Sequence, residues 1–408
     1  MTAREYPVFT VTPKAERSLR AGHPWVYGEE VTAVEGAYQN GDMVDVVSNK
    51  GRYLGTGWVN DHSKIRVRII SRNANDTFDE AFFRRRVCYA LNYRKTVMGP
   101  VDYRCCRLIF GEADQFPGLT VDRFENILVT QVLSLGMERR KDWVYRALVE
   151  LLREDGEQID AIYERNDVTI RTLEGLEQGK GFYQMEGLRT DLSGHVTITE
   201  NGIKYDVDYM EGQKTGFFLD QKYNRQAAAK LARGRRVLDC FTHTGAFALN
   251  VAAAGAEHVT AVDVSAFALE LAAENGKRNG LTNLDYKCAD VFDLLTEMAK
   301  EKKCDYDYII LDPPAFTKSR ATAKNAYHGY KEINRKAMRL LPRGGYLATC
   351  SCSHFMTDEM FRKMLREAAL DAGVTLRQIE ARQQAPDHPI LPGVPETNYL
   401  KFYLLQVV

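Results

Sequence analysis

The sequence predicts an α/β protein whose C-terminal half is a doubly wound parallel sheet, preceded by a small β-barrel and an α+β middle domain. Three observations lead there. Residues 1–72 break into short strands with turn punctuation, the stretch from about residue 78 mixes helical and strand periodicity, and from about Lys222 strands and helices alternate. Alternation of that kind implies parallel strands joined by crossover helices. The expected divisions are residues 1–72, 73–190 and 191–408.

In the first division, Asp42-Met-Val-Asp-Val-Val, Tyr53-Leu-Gly-Thr-Gly-Trp-Val and Lys64-Ile-Arg-Val-Arg-Ile-Ile read as strands. The last alternates strictly, putting Ile65, Val67 and Ile69 on one face and Lys64, Arg66 and Arg68 on a solvated one. The polar run Ser71-Arg-Asn-Ala-Asn-Asp-Thr then breaks the pattern and marks a boundary. In the second division, helical spacing runs from Phe78 to Met98 and again from Lys141 to Arg153. Strands are expected at Ile127–Leu133, Ala161–Arg165 and Val196–Glu200. The third division opens with a helix through Ala232, then strand Val237–Cys240, helix Phe247–Ala254, strand Val259–Asp263 and helix Ala266–Asn279. It continues with strand Tyr306–Asp312, helix Tyr327–Leu341 and strand Gly345–Ser351.

Composition narrows the function classes. With 408 residues, 45% of them apolar, the chain can bury two or three cores. Lysine plus arginine equals aspartate plus glutamate at 55 each, so a polyanion-binding surface has to come from local clustering. Met1 to Tyr6 lacks a basic-then-apolar signal, and no run approaches the roughly 20 apolar residues that span a bilayer. A cytoplasmic location with no membrane partner is expected. Eight scattered cysteines without paired Cys-x-x-Cys knuckles read as reduced thiols, with no metal site.

The chemistry-bearing residues lie at the ends of the C-terminal strands. Val237-Leu-Asp-Cys-Phe-Thr-His-Thr-Gly-Ala-Phe carries an acid, Asp239, then a small-residue turn opening a helix. The turn's amides can face a carboxylate, and Gly245 allows close approach. Asp263 follows 24 residues later, near the spacing at which an acid meets ribose hydroxyls. A glycine turn alone equally suits an ordinary strand–helix connection; two acids at successive strand ends point to a nucleoside. The run lacks Gly-x-Gly-x-x-Gly, which disfavours a pyrophosphate ligand. Asp290 could accept from an adenine amine, and Asp312-Pro-Pro-Ala-Phe gives a rigid turn suited to gripping a flat base.

The order Asp239, Asp263, Asp290 and Asp312-Pro-Pro resembles a class I S-adenosylmethionine-dependent methyltransferase with a Rossmann-like sheet. Upstream, Gly212-Gln-Lys-Thr-Gly-Phe-Phe-Leu-Asp-Gln-Lys-Tyr-Asn-Arg resembles the segment that closes over the cofactor in the bacterial 23S rRNA cytosine-C5 methyltransferase family. The resemblance implies S-adenosylmethionine as cofactor. It further implies Phe218, Asp220, Arg225, Asp239, Thr242, Gly245, Asp263, Ser265, Asp290, Val291 and Asp312 as cofactor-binding residues. The alternative for the upstream segment is a loop and helix start that merely pack beneath the sheet.

Gly344-Gly-Tyr-Leu-Ala-Thr-Cys-Ser-Cys-Ser-His places two cysteines at a strand end, on the same side if the strand continues that far. By the resemblance, Cys352 matches the Thr-Cys-Ser nucleophile, with Cys350 as the alternative and Asp312 as the residue holding the N3 and N4 edge of the base. Burial as a small apolar residue is the competing reading of either thiol. The Asp-Pro-Pro-Ala-Phe turn has alanine where many RNA cytosine-C5 methyltransferases carry a second cysteine, so another group has to release the product. The residue that removes the C5 proton is unassigned.

Arg17-Ser-Leu-Arg-Ala-Gly-His-Pro-Trp-Val-Tyr with Gly41-Asp-Met-Val-Asp-Val-Val resembles a PUA RNA-binding domain, which occurs at this position in the same family. Arg17, Arg20, His23, Lys64, Arg66 and Arg68 are candidate phosphate contacts, and Trp25 or Tyr27 candidate stacking groups. The alternative is a solvated strand face and core aromatics. Gly111-Glu-Ala-Asp-Gln-Phe-Pro-Gly-Leu-Thr-Val-Asp-Arg-Phe also matches the family, with an architectural Pro-Gly turn. The expected partner is RNA, specifically large-subunit ribosomal RNA, its target cytosine single-stranded or flipped out; a homodimer is left open. Two rivals remain: an RNA nitrogen methyltransferase using Asp-Pro-Pro without a thiol, and a non-catalytic RNA-binding assembly factor.

Overall fold

The computed structural model describes residues 5–301, 304–317 and 322–408, so the reading of Met1 to Tyr6 lies largely outside the described residues. Two compact units are formed. The first holds Met1–Ile198, Val207–Leu219 and Pro386–Thr397, and the second Thr199–Asp206, Asp220–Ala385 and Asn398–Val408.

In the first unit, strands β1 (Val8–Val11), β2 (Trp25–Tyr27), β3 (Val31–Glu35), β4 (Met43–Ser48), β5 (Tyr53–Val59) and β6 (Ile65–Ser71) form one sheet ordered β2-β6-β5-β4-β1-β3. Helix α1 (Pro13–Arg20) starts at Thr12, whose hydroxyl accepts from the Ala15 amide. Phe9, Val11, Leu19, Val26, Val44, Val46 and Val67 make the core.

The solvated-face expectation for β6 fails at one residue. Arg68 is buried, donating to Glu174 at 2.7 Å and Glu112 at 3.5 Å. Both glutamates belong to the following segment, which packs on that face; period-two patterning cannot foresee a second layer. Trp25 Nε1 also donates to Glu112, at 2.9 Å, and His23 contacts Glu396 at 3.2 Å. Arg17, Arg20 and Lys64 stay exposed.

That segment is a second sheet, ordered β11-β10-β9-β8-β7, from β7 (Cys105–Phe110), β8 (Leu119–Phe124), β9 (Ile127–Val132), β10 (Ala161–Arg165) and β11 (Lys180–Phe182). Helices α2 (Glu80–Val97), α3 (Leu135–Glu138) and α4 (Lys141–Glu154) accompany it. Gly136 lies so close to the Trp58 ring that a Cβ there would come within 1.9 Å of it, so the two sheets pack as one body. β12 (His195–Glu200) and β13 (Ile203–Asp208) pair as a ribbon.

The second unit carries a seven-stranded sheet, β16-β15-β14-β17-β18-β20-β19. Its strands are β14 (Arg236–Cys240), β15 (His258–Asp263), β16 (Leu284–Cys288), β17 (Tyr308–Leu311), β18 (Tyr346–Ser351), β19 (Leu376–Arg382) and β20 (Lys401–Val407). Helices α5 (Lys222–Ala229), α6 (Ala246–Ala253), α7 (Ala266–Arg278), α8 (Val291–Glu301), α9 (Ala323–Leu340) and α10 (Asp358–Ala372) alternate with them. β16 through β18 pair in parallel, as expected, but β20 runs antiparallel to both β18 and β19. Order reverses between β14 and β17, and the crevice beyond the carboxyl ends of strands at such a switch point is where ligands bind.

Candidate active site

Asp239 is the penultimate residue of β14 and is fully buried. Its Oδ2 accepts from the Thr242 hydroxyl at 2.5 Å and the Ala248 amide at 3.0 Å, while Oδ1 accepts no hydrogen bond from the described residues. Burial, opposed by those two donors, pushes its carboxyl up to about 7. The turn that follows is held in an unusual shape. Phe241 (φ 64°), His243 (φ 51°) and Gly245 (φ 84°) all adopt left-handed backbone, a conformation that costs a non-glycine residue energy, and the Thr242 and Gly245 amides are tied to the Val262 and Thr242 carbonyls at 2.9 Å each.

Asp263 ends β15. One oxygen accepts from the His243 amide at 2.9 Å and the other from the Ser265 amide at 2.9 Å, which ties the second acid to the first turn. Ser265 caps α7, accepting from the Ala268 amide at 3.2 Å. Asp290 is exposed, and its Oδ1 caps α8 through the Phe292 and Asp293 amides at 2.7 and 3.1 Å. Val291 begins that helix and is buried.

Asp312 follows β17 and meets the same acids. Its carboxylate accepts from Gln221 Nε2 at 2.9 Å and from the Cys350 thiol. Burial, with Asp220 nearby, raises it to about 6. Asp220 is held by the Tyr399 hydroxyl at 2.6 Å. Arg225 is buried on α5 against the Glu200 carboxylate, its guanidinium 6.0 Å from the centre of the Phe247 ring. Phe218 lies in the Val207–Leu219 segment of the first unit, with Lys214 Nζ 4.8 Å from its ring centre.

The two thiols differ. β18 stops at Ser351, so strand periodicity does not carry on to Cys352 as the sequence reading required. Cys350 pairs with Phe402 inside the sheet and is 0% exposed, and burial beside Asp312 holds its thiol well above the ordinary range. Cys352, just past the strand, is only half-buried.

These residues fit S-adenosylmethionine on their own chemistry. The buried Asp239 oxygen lacking a protein donor suits an ammonium, the start of α6 just after Gly245 suits a carboxylate, and Asp263 presents acceptors at the next strand end. Sequence reading missed Gln221, Tyr399 and Lys401. Gln221 was readable only as part of the upstream segment, whereas Lys401 stands out as a buried cation opening the apolar strand Lys-Phe-Tyr-Leu-Leu.

Comparisons with known proteins agree in outline. Residues 9–72 match a PUA-like domain, and residues 183–405 match the S-adenosylmethionine-dependent methyltransferase family. A protein named ribosomal RNA large subunit methyltransferase I from Pseudoalteromonas atlantica is 40% identical over 401 residues, covering 98% of this chain and 99% of that one. Its namesake from Shewanella denitrificans is 42% identical over 399 residues, covering 97% and 98%. Among solved structures, a SAM-dependent methyltransferase from Streptococcus mutans superposes with TM-score 0.81 at 22% identity, covering 98% of this chain and 100% of that one. A methyltransferase complexed with SAH gives TM-score 0.82 at 22% identity with the same coverage. At that identity the two structures speak for the fold. Among the described residues, no helix is long and apolar enough to cross a membrane.

Proposed function

The chain belongs to the S-adenosylmethionine-dependent methyltransferases of the ribosomal RNA large subunit methyltransferase I family, and from that premise we propose that it methylates C5 of a cytosine in large-subunit ribosomal RNA. One observation carries the reading: the half-buried thiol Cys352 lies just past β18, whose parallel neighbour β17 leads into Asp312, so thiol and carboxylate follow the same ends of adjacent strands. Cytosine C5 is a poor nucleophile, and addition of a thiolate at C6 turns C5 into an enamine carbon able to attack. The cofactor supplies an electrophilic methyl group.

Each side chain then has a task. Cys352 forms the sulfur–C6 bond. Asp312 binds the N3 and N4 edge and steadies positive charge on the adduct. Asp239 and Asp263 orient the cofactor's amino group and ribose, with Thr242, Gly245 and Ser265 shaping the turns. Once C5 is methylated, its proton leaves to a base and the sulfur–C6 bond breaks, returning the thiolate. Cys350, buried against Asp312, positions that carboxylate. In the division 1–72, 73–190 and 191–408, the first part holds RNA through Arg17, Arg20 and Lys64, and the last carries the chemistry in the cytoplasm.

Cys352→Ala tests the reading. Loss of methyl transfer with cofactor binding retained supports it, and near-normal turnover would move the assignment to a ring or exocyclic nitrogen, where Asp-Pro-Pro alone suffices. Mass-spectrometric mapping of ribosomal RNA from cells with and without the gene should show one 5-methylcytosine lost from the large subunit. Persistence of every such mark refutes the proposal.

A further inference from the structure

We propose that Lys401 is the positioning cation that holds Cys352 as a thiolate, an inference that rests on the reading of Cys352 as nucleophile. Antiparallel pairing sets Lys401 opposite Ser351, at the end of β18. Its side chain is almost wholly buried, 4% exposed. Nζ donates to the Ser353 carbonyl at 2.6 Å and the Tyr399 carbonyl at 2.8 Å. An ammonium has three N–H donors, and these two bonds account for two of them.

The arrangement is costly unless an anion completes it. Burial of an ammonium among neutral acceptors disfavours the charge, and here it brings Lys401 down to about 8. Among the described residues no carboxylate lies within ion-pair distance of Nζ. Among the described residues, the titratable groups in its electrostatic reach are Cys352 and Asp358. Asp358, on α10, is engaged by the Tyr403 hydroxyl and, at 3.0 Å, by Arg362. Cys352 is thus the group in reach whose ionisation can compensate the buried ammonium, and by reciprocity the ammonium favours the thiolate.

Among the described residues, the other titratable groups in reach of the thiol are not cations. Tyr330 on α9 is raised by burial and stays protonated, as does Cys350. Asp312 is an anion above about pH 6 and opposes a second negative charge nearby. A residue needed only to tie two carbonyls together could be neutral, as glutamine is. Because Lys401 keeps its proton up to about pH 8, the cation is present throughout the range where a cysteine must be activated.

The test is the pH dependence of iodoacetamide alkylation at Cys352, located by tandem mass spectrometry on the full-length protein. In the wild type the midpoint should fall below the ordinary free-thiol value of about 8.5. Lys401→Met, checked by retained cofactor binding, should raise it by about one unit or more, which slows alkylation at pH 7 roughly tenfold. An unchanged midpoint in a folded Lys401→Met protein overturns the proposal. So does a wild-type midpoint at or above 8.5, a result that needs no variant. No RNA enters the assay. A low, Lys401-dependent midpoint without any ribosomal 5-methylcytosine would therefore sink the substrate assignment and leave the activation of Cys352 standing.

Discussion

Replacing Asp239 by asparagine should make the cofactor-free protein more stable at alkaline pH while weakening its hold on S-adenosylmethionine. The reason is the cost of the buried charge. Asp239 is fully enclosed and its carboxyl is raised from 3.8 to about 7, a displacement of about three units, or roughly 4 kcal/mol against the ionised form. A carboxyl raised on folding contributes stability that is complete below its unfolded value near 4 and is lost as pH climbs through the folded value near 7. Asparagine has no such dependence. It can still accept from Thr242 and Ala248, but its amide nitrogen then occupies the place of Oδ1, where no described residue is a partner, at about 1–3 kcal/mol. The net gain at pH 8 is therefore about 1–3 kcal/mol. The difference between mutant and wild type should shift in the mutant's favour by roughly 3 kcal/mol between pH 5 and pH 8, whatever the amide costs. Urea unfolding at both pH values without cofactor measures this, and equilibrium binding should show affinity reduced about 10- to 100-fold. A stability difference identical at the two pH values refutes the argument, because the carboxylate would then be ionised without penalty.

Further perturbations probe the rest of the site. Gly245→Ala forces a side chain into left-handed backbone at φ 84°, with its Cβ 2.5 Å from Leu249 and 3.0 Å from Ala272. Destabilisation of about 2–5 kcal/mol is expected, read by thermal unfolding; an unchanged melting point would mean the turn relaxes freely. Arg225→Met removes the cation from the buried Glu200 and should cost about 3–5 kcal/mol in denaturant titration. Wild-type turnover should fall as pH drops through about 6, where Asp312 takes up a proton, and Asp312→Asn should lower kcat by about 100-fold or more and abolish that limb. An acidic limb that survives in Asp312→Asn assigns it to another group.

The C-terminal sheet was legible because its signals are local. β14, β15, β17 and β18 each begin or end within about two residues of the expected bounds, since each is an apolar run followed by turn residues and an amphipathic helix. β16 escaped, being the half-exposed, polar Leu-Asp-Tyr-Lys-Cys at the sheet edge. β7 and β8 escaped as well, because their segments were read as motif and turn. Asp239, Asp263 and Asp312 were found from their place at strand ends. The fate of Arg68, taken from solvent by Glu112 and Glu174, could not be read from an alternating strand that says nothing about what covers its polar face.

Local pattern, chain length and motif order thus determined by themselves which residues make strands and helices, and which strand ends carry acids and thiols. Only the folded chain decided the register that sets Lys401 opposite Ser351, the end of β18 one residue before Cys352, and the contact of Cys350 with Asp312. The physical reason is separation. Lys401 lies 49 residues from Cys352 along the chain, and its charge reaches that thiol only because an antiparallel strand returns through the sheet.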